Sequence, residues 1–310
     1  MASKINFKSA FRRCNLSAAT AIQCCTQLPT EGLILLYLRL TFGGCPCPNE
    51  WGVFSEPICN LATAILHDDL WTPANLHSPT QNLVPPPKAM NNDVPFGIGK
   101  ELIVEIEINP RGTHDIYIDN MIPLTVDIPG TNNLERCAAA SLLAIHATAR
   151  PKHPEEPIPR EEMEARNKLA AEARLEEEKI ILGWHINFRR LIISLPDNKF
   201  IAWTDSINNI LTRGTSTAKE LETTIGRLGH LGAIVPFVYH FLSRLRDLQW
   251  RATKRRLIDI PQPCRDDLGL MLSFLHKAHT GIDINLLSFR RPTHIYRSDS
   301  CSYGLGGYSH

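Results

Sequence analysis

Long apolar runs are the first thing this 310-residue sequence lacks. The longest, Leu33 to Leu38, is six residues and stops at Arg39, whereas a membrane-spanning helix needs about twenty. Met1-Ala-Ser-Lys-Ile-Asn-Phe-Lys8 has no apolar signal-peptide core. Nine cysteines, an odd number scattered along the chain, are too few for a secreted disulfide framework. They read as reduced thiols of an intracellular protein, cytoplasmic or nuclear, with no membrane partner. Charge of one sign is also scarce overall, at net +1. With 43% hydrophobic and 21% charged residues, the composition excludes a wholly disordered or collagen-like chain. The length suits two or three modest domains.

The near-neutral total hides an asymmetry. Residues 1–150 hold 10 Lys and Arg against 13 Asp and Glu, residues 151–180 hold 6 against 9, and residues 181–310 hold 17 against 10, a net of −3, −3 and +7. A basic half behind an acidic one fits a polyanion partner or a solvated face.

Along the chain, Leu33–Leu40 reads as a buried strand. Residues Phe42 to Asn49 are turn-rich and open a helix carrying Phe54, Ile58, Leu61 and Ile65, with Pro57 set to kink it or delay its start. Residues 72–99, with Pro85-Pro86-Pro87, read as a loop. Leu102–Ile108 and Ile116–Ile118 suggest a hairpin about Pro110-Arg-Gly112, and Asp119-Asn120 a second turn into Met121–Val126. In that last run Pro123 removes a ladder donor. Leu134, Ala138, Leu142 and Ile145 mark a helix. Residues 151–159 form a linker, and Arg160–Lys179 a charged helix with the pairs Glu162–Arg166 and Glu164–Lys168. Ile180–His185 and Leu191–Leu195 form another hairpin. Thr217-Ala-Lys-Glu220 is a capping box for a helix with Leu221, Ile225 and Leu228. Its glycines, Gly226, Gly229 and Gly232, suggest close packing. Helices over Pro236–Leu248 and Asp266–Lys277 follow, then two short strands in Thr293–Tyr308. Arg244–Arg256 carries six basic residues against Asp247 alone.

The chemistry-bearing segment is Tyr117-Ile-Asp-Asn120 between apolar β-runs. Asp-Asn is a good tight-turn pair on its own. It also matches what two-metal nucleotidyl transfer needs, carboxylates on a rigid sheet holding two divalent ions. Gly304-Leu-Gly-Gly307 is no phosphate loop, because no Lys-Ser/Thr follows. His67-Asp68-Asp69 and Cys45-Pro-Cys47 lack partner pairs at zinc spacing.

Four segments in order give the pattern a wider meaning. Ile5-Asn-Phe-Lys-Ser-Ala-Phe-Arg-Arg13 resembles motif A of reverse transcriptases of LTR and tyrosine-recombinase (DIRS-like, gypsy-like) retroelements. Leu38–Pro48 resembles their motif B turn, Ile116–Asn120 their YxDD hairpin, and Ile180–Ile186 their primer-grip hairpin. Ile193–Lys199 and Leu221–Pro236 are similar to the thumb, and Thr293–Tyr308 to the first hairpin of an RNase H domain.

The resemblance implies an α+β fold, a right-hand polymerase palm and thumb lacking fingers, followed by the first hairpin of an RNase H-like domain. It implies a palm over 1–150, a linker, charged helix and primer-grip-like hairpin over 151–195, a helical thumb over 196–260, and a connection with a truncated RNase H-like start over 261–310. It places Asp119 as the surviving carboxylate and metal ligand, with Asn6 and Asn120 where the family has Asp, and Asp299 at the first RNase H-like carboxylate. Phe11, Phe42, Gly43 and Tyr117 fall at substrate-binding positions; Phe11 reads equally as a core side chain. Gly183, Trp184, Arg244, Arg246, Arg251, Lys254, Arg255 and Arg256 fall at nucleic-acid-binding positions, although Trp184 also suits a buried hairpin and the basic run a solvated helix end. The implied partners are an RNA or DNA primer–template and, if active, a deoxynucleoside triphosphate with Mg²⁺ or Mn²⁺. An amide offers a metal one neutral oxygen, so the two asparagines imply impaired catalysis. With no fingers ahead of Asn6, reverting both is expected not to restore it fully. The alternatives are a non-catalytic nucleic-acid-binding protein and an unselected transposon relic.

Overall fold

The computed structural model describes residues 1–41, 43–44, 47–102, 109–150, 153, 155–157, 161–252, 257–287, 296–301 and 304–309. They form two units, Met1–Asn91 with Ile108–Lys179, and Asn92–Glu107 with Ile180–His310.

In the first unit the elements run β1 (Ile5–Asn6), α1 (Ala18–Gln23), β2 (Thr26–Leu28), β3 (Leu33–Leu35), α2 (Cys47–His67), β4 (Gly112–Tyr117), β5 (Asn120–Thr125), α3 (Asn133–Thr148) and α4 (Arg166–Glu172). Strands β1, β5 and β4 form an antiparallel sheet with β5 in the middle. Helix α2 buries Trp51, Ser55, Ile58, Ala62 and Leu66, the spacing of one helical face. That face and α3 enclose a core with Ile5, Phe7, Met121, Leu142 and Ile145. Pro123 sits in the central strand opposite His114, and its carbonyl still accepts a hydrogen bond from the Ser3 N–H at 3.1 Å.

Three expectations are corrected here. Leu33–Leu40 is not a buried strand: β3 pairs with β2 alone, and Leu33, Ile34, Leu35, Leu36 and Leu38 are 46–67% exposed. A two-stranded ribbon needs a packed layer to bury a face. Pro57 does not delay α2, which runs from Cys47 through it to His67; it lies on the exposed side, where water can satisfy the carbonyl freed one turn back. Arg160–Lys179 is not one helix. Residues 161–165 run extended beside β1, with Lys8 N–H donating to the Met163 carbonyl at 2.7 Å and Ala165 N–H to that of Asn6 at 3.0 Å. Glu162 does pair with Arg166, but Glu164 is drawn inward to His146 at 3.2 Å, away from Lys168. The expected strand Leu102–Ile108 lies largely outside the described residues.

The second unit opens on β6 (Glu178–Ile181), which crosses the division, and continues with β7 (Trp184–Asn187), β8 (Ile192–Ser194), α5 (Asp197–Arg213), β9 (Thr215–Ser216), α6 (Ala218–Leu231), α7 (Val238–Ala252), β10 (Ile258–Asp259), α8 (Gln262–Thr280), β11 (Ile282–Asp283), β12 (Tyr296–Cys301) and β13 (Gly304–Ser309). One sheet has the order β11-β8-β7-β6. Helices α5 to α8 share a core of Trp203, Ile207, Leu221, Leu228, Leu242, Leu245, Leu268, Met271 and Leu275. The capping box forms, with Glu220 N–H donating to Thr217 Oγ1 at 3.2 Å and Thr217 N–H to Glu220 Oε2 at 2.9 Å. Of the three glycines in and just after α6 only Gly232, its C-cap, is closely packed: a methyl there would meet the Tyr239 ring at 2.5 Å, while at Gly226 and Gly229 it would meet nothing within 4 Å.

Candidate functional site

The hairpin β4–β5 turns on two residues, Ile118 and Asp119, between the paired Tyr117 and Asn120. Ile118 has φ +55°, a position where two-residue turns favour glycine and a β-branched residue is under strain of about 1–3 kcal/mol. Two contacts hold it there. The buried Trp51 indole N–H donates to the Ile118 carbonyl, and Phe7 N–H donates to the Asp119 carbonyl at 2.8 Å. The tip is thereby pinned to both α2 and β1.

Pairing of β1 with β5 sets Asn6 opposite Asn120. Asn6 Nδ2 donates to Asp119 Oδ2 at 3.3 Å and to Asn120 Oδ1 at 3.1 Å. Asn120 Nδ2 donates to Asp119 Oδ1 at 2.9 Å. Lys168 Nζ, reaching from α4, donates to Asn6 Oδ1 at 3.0 Å. The sequence reading missed Lys168, having paired it with Glu164. The cluster therefore joins one carboxylate, two amides and one ammonium, and its formal charge sums to zero. This donor set does not fit two divalent cations, which need several carboxylates. Among the described residues no group of three or more His, Cys, Asp or Glu is placed to hold a metal.

The other expected site residues scatter. Tyr117 is 54% exposed beside the tip, whereas Phe11 is 6% exposed in the core, leaving little of its ring to meet a ligand. Gly43 lies in an open turn at φ +88°, and Phe42 lies outside the described residues. Asp299 pairs with Gly306 in β12–β13, and its side chain is outside the described residues, as are Lys254, Arg255 and Arg256. Leu182 and Gly183 make the β6–β7 turn with φ +50° and +83°. Trp184 is 6% exposed, so its ring packs inward and offers no face for stacking on nucleic acid. Arg244, Arg246 and Arg251 are exposed on α7. Arg244 is tied to Asp267 at 3.2 Å. By helical spacing Arg244 and Arg251 share one side of the buried Leu242–Leu245–Leu248 stripe and Arg246 takes the other, so the three described arginines do not form one patch.

A second polar network lies inside the first unit. Ser78 Oγ is 2.6 Å from His146 Nδ1, and His146 Nε2 is 3.2 Å from Glu164 Oε2. The order is that of a hydrolytic triad, but Ser78 is 1% exposed and Glu164 1%. No substrate can reach such a serine, and the network ties the loop around Ser78 to α3.

No family model matches this sequence, and no curated protein does. Solved structures do. The foamy viral protease-reverse transcriptase dRH in complex with double-stranded DNA is 13% identical, with a TM-score of 0.50 over 97% of this chain and 38% of its own. The foamy viral protease-reverse transcriptase in complex with an RNA/DNA hybrid is 17% identical, with a TM-score of 0.49 over 90% of this chain and 27% of its own. This chain thus spans well under half the length of either. At such identities the first of these likenesses speaks for architecture only: the chain has a mixed α+β, reverse transcriptase-like fold.

Proposed function

We propose that this chain is the palm and thumb of a retroelement reverse transcriptase of the LTR or DIRS-like kind, that it binds primer–template nucleic acid, and that it does not extend a primer at a measurable rate. The cluster of Asn6, Asp119 and Asn120 carries the reading. It stands at a strained, pinned hairpin tip facing a neighbouring strand, the setting in which polymerase carboxylates are presented, yet it keeps one carboxylate of three. Electrostatic stabilisation of a phosphoryl transition state is worth several kcal/mol per interaction, and the missing charges remove both that and the hold on Mg²⁺ or Mn²⁺.

Binding without catalysis is supported separately by the +7 charge of residues 181–310, 17 Lys and Arg against 10 Asp and Glu, and by the exposed arginines of α7. The test is primer extension on a primed RNA template, with Mg²⁺ and then Mn²⁺, run beside a binding titration on the same duplex. Binding with no extension is the expected result. Extension by the unmodified chain that is abolished by Asp119→Ala would overturn the catalytic half, and no binding at any salt would leave the relic reading.

A further inference from the structure

The hydrogen bonds of the palm cluster leave no oxygen unclaimed. Its three side chains carry four oxygens. Asn6 Oδ1 accepts from the Lys168 ammonium, Asp119 Oδ2 and Asn120 Oδ1 both accept from Asn6 Nδ2, and Asp119 Oδ1 accepts from Asn120 Nδ2. A divalent cation entering here would compete with these donors for the oxygens' remaining lone pairs and would meet the positive charge of the Lys168 ammonium.

Lys168 is free for this role because its helix-spaced acidic neighbours are engaged elsewhere. Glu164 is bound to His146 at 3.2 Å and Glu172 to Lys4 at 2.7 Å. The backbone holds α4 against β1, with Ala165 N–H donating to the Asn6 carbonyl at 3.0 Å and Lys4 N–H to that of Glu172 at 3.2 Å. The lysine stem is exposed, but its root is anchored on both sides of Asn6.

We infer that Lys168 is the built-in cation of this centre, a positively charged side chain that completes the Asn6–Asp119–Asn120 network and keeps divalent metal ions out. The inference rests on the reading of this cluster as the polymerase carboxylate position. It adds a third feature, beyond the two asparagines, that separates this centre from a metal site. In the Asn6→Asp, Asn120→Asp double variant the ammonium becomes the counter-ion of the carboxylate introduced at position 6 and competes directly with the metal.

Mn²⁺ binding by electron paramagnetic resonance tests this without any assay of activity. It compares the unmodified chain, the double variant, and the double variant with Lys168→Met, which keeps the stem and removes the charge. The unmodified chain should show no saturable site, and Lys168→Met should tighten Mn²⁺ binding by the double variant at least tenfold. Equal affinity with and without Lys168→Met would overturn the role of Lys168 while leaving the palm reading intact. Failure of both variants to bind Mn²⁺, with folding verified by circular dichroism, would overturn the palm reading and the inference with it. A saturable site in the unmodified chain, lost in Asp119→Ala, would overturn the inference alone. Should the triple variant fail to fold, Lys168→Glu in the otherwise native chain serves instead. This surface change replaces the ammonium that reaches Asn6 with a carboxylate and should create Mn²⁺ binding where the native chain has none; its failure to do so would also overturn the inference.

Discussion

The imidazole of His230 lies flat on the indole of Trp184, with ring centroids 4.5 Å apart and planes 6° apart. Trp203 meets the same imidazole edge-on at 5.9 Å. Lys199 Nζ completes the cluster, donating to the Gly183 carbonyl at 2.9 Å. Burial, and then the Lys199 charge, hold the His230 imidazole below its ordinary pKa, which favours the neutral ring in the stack. The β6–β7 hairpin is thus fastened to α6 through its tryptophan.

Trp184→Ala is therefore expected to act on stability. Truncating a buried aromatic costs about 3–5 kcal/mol, visible as a lower urea midpoint for unfolding. The folded variant should keep its nucleic-acid affinity. A loss of about 1–3 kcal/mol in binding with unchanged stability, the mark of a stacking contact, would contradict this placement.

The same hairpin makes a turn prediction. Leu182 and Gly183 both have positive φ, +50° and +83°, the type I′ geometry that favours Asn-Gly. Leu182 is 42% exposed, so little packing offsets the roughly 1–2 kcal/mol cost of a left-handed backbone. Leu182→Asn should raise the melting temperature by about 2–4 °C. Gly183→Ala should lower it, since the new methyl meets Lys199 Nζ in a conformation that disfavours side chains.

Acid sensitivity follows from His114. It is 6% exposed, lies 2.9 Å from Ser141 Oγ and 3.2 Å from Thr63 Oγ1, and burial pushes its pKa down to about 4. The unfolded chain then takes up this proton near pH 6.5 and the folded chain only near 4. Stability should be full above about pH 6.5 and decline as pH falls towards 4, by on the order of 3 kcal/mol from this group. Denaturant melts at pH 7, 6, 5 and 4, with His114→Gln as control, measure it. The control should show a shallower decline.

His146 gives a complementary outcome. Glu164 is fully buried and its carboxylate leans on His146. Burial alone would raise the pKa of Glu164, but the hydrogen bonds from His146 and Thr80, with the His146 charge, bring it below the ordinary value. His146→Ala strips an inward-facing carboxylate of its partner and should destabilise the chain by about 3–5 kcal/mol, whereas Ser78→Ala should cost nearer 1 kcal/mol. Equal small effects would show that water replaces the network.

Much of the second unit was legible because its signals are local. The Thr217–Glu220 capping box and the 3.6-residue period of Leu221, Ile225 and Leu228 specify α6 without tertiary help. Helix α5 falls within the helical stretch expected over 196–260, and Trp203, Ile207 and Ile210 mark its buried face. The exposed β2–β3 ribbon was illegible, since an apolar run does not say whether a layer will cover it. The site divided in the same way. The Asp119-Asn120 turn is visible in the sequence, and the partnership with Asn6 came through the order of motifs. Lys168 could not be found, because its expected partner Glu164 leaves for a histidine 18 residues away in sequence, a choice made by burial rather than spacing.

The arginines of α7 separate structure from binding within one helix. Arg244 is the partner of Asp267, which is 4% exposed. Arg244→Ala leaves that buried carboxylate without its counter-charge, and about 1–3 kcal/mol of stability should be lost. Arg251 shares its side of the helix. If a phosphate backbone passes along that side, Arg251→Ala should weaken binding of a primer–template duplex uniformly across sequences and reduce the slope of log K against log[salt] by about 1. Arg246 sits across the buried stripe, and Arg246→Ala should leave that slope unchanged. Urea unfolding reads the first variant, and fluorescence anisotropy titrations from 50 to 200 mM salt read the other two. A flat salt response in the unmodified chain would reject an electrostatic role for this unit altogether. Equal slope changes for Arg246→Ala and Arg251→Ala would show instead that nucleic acid wraps both sides of the helix.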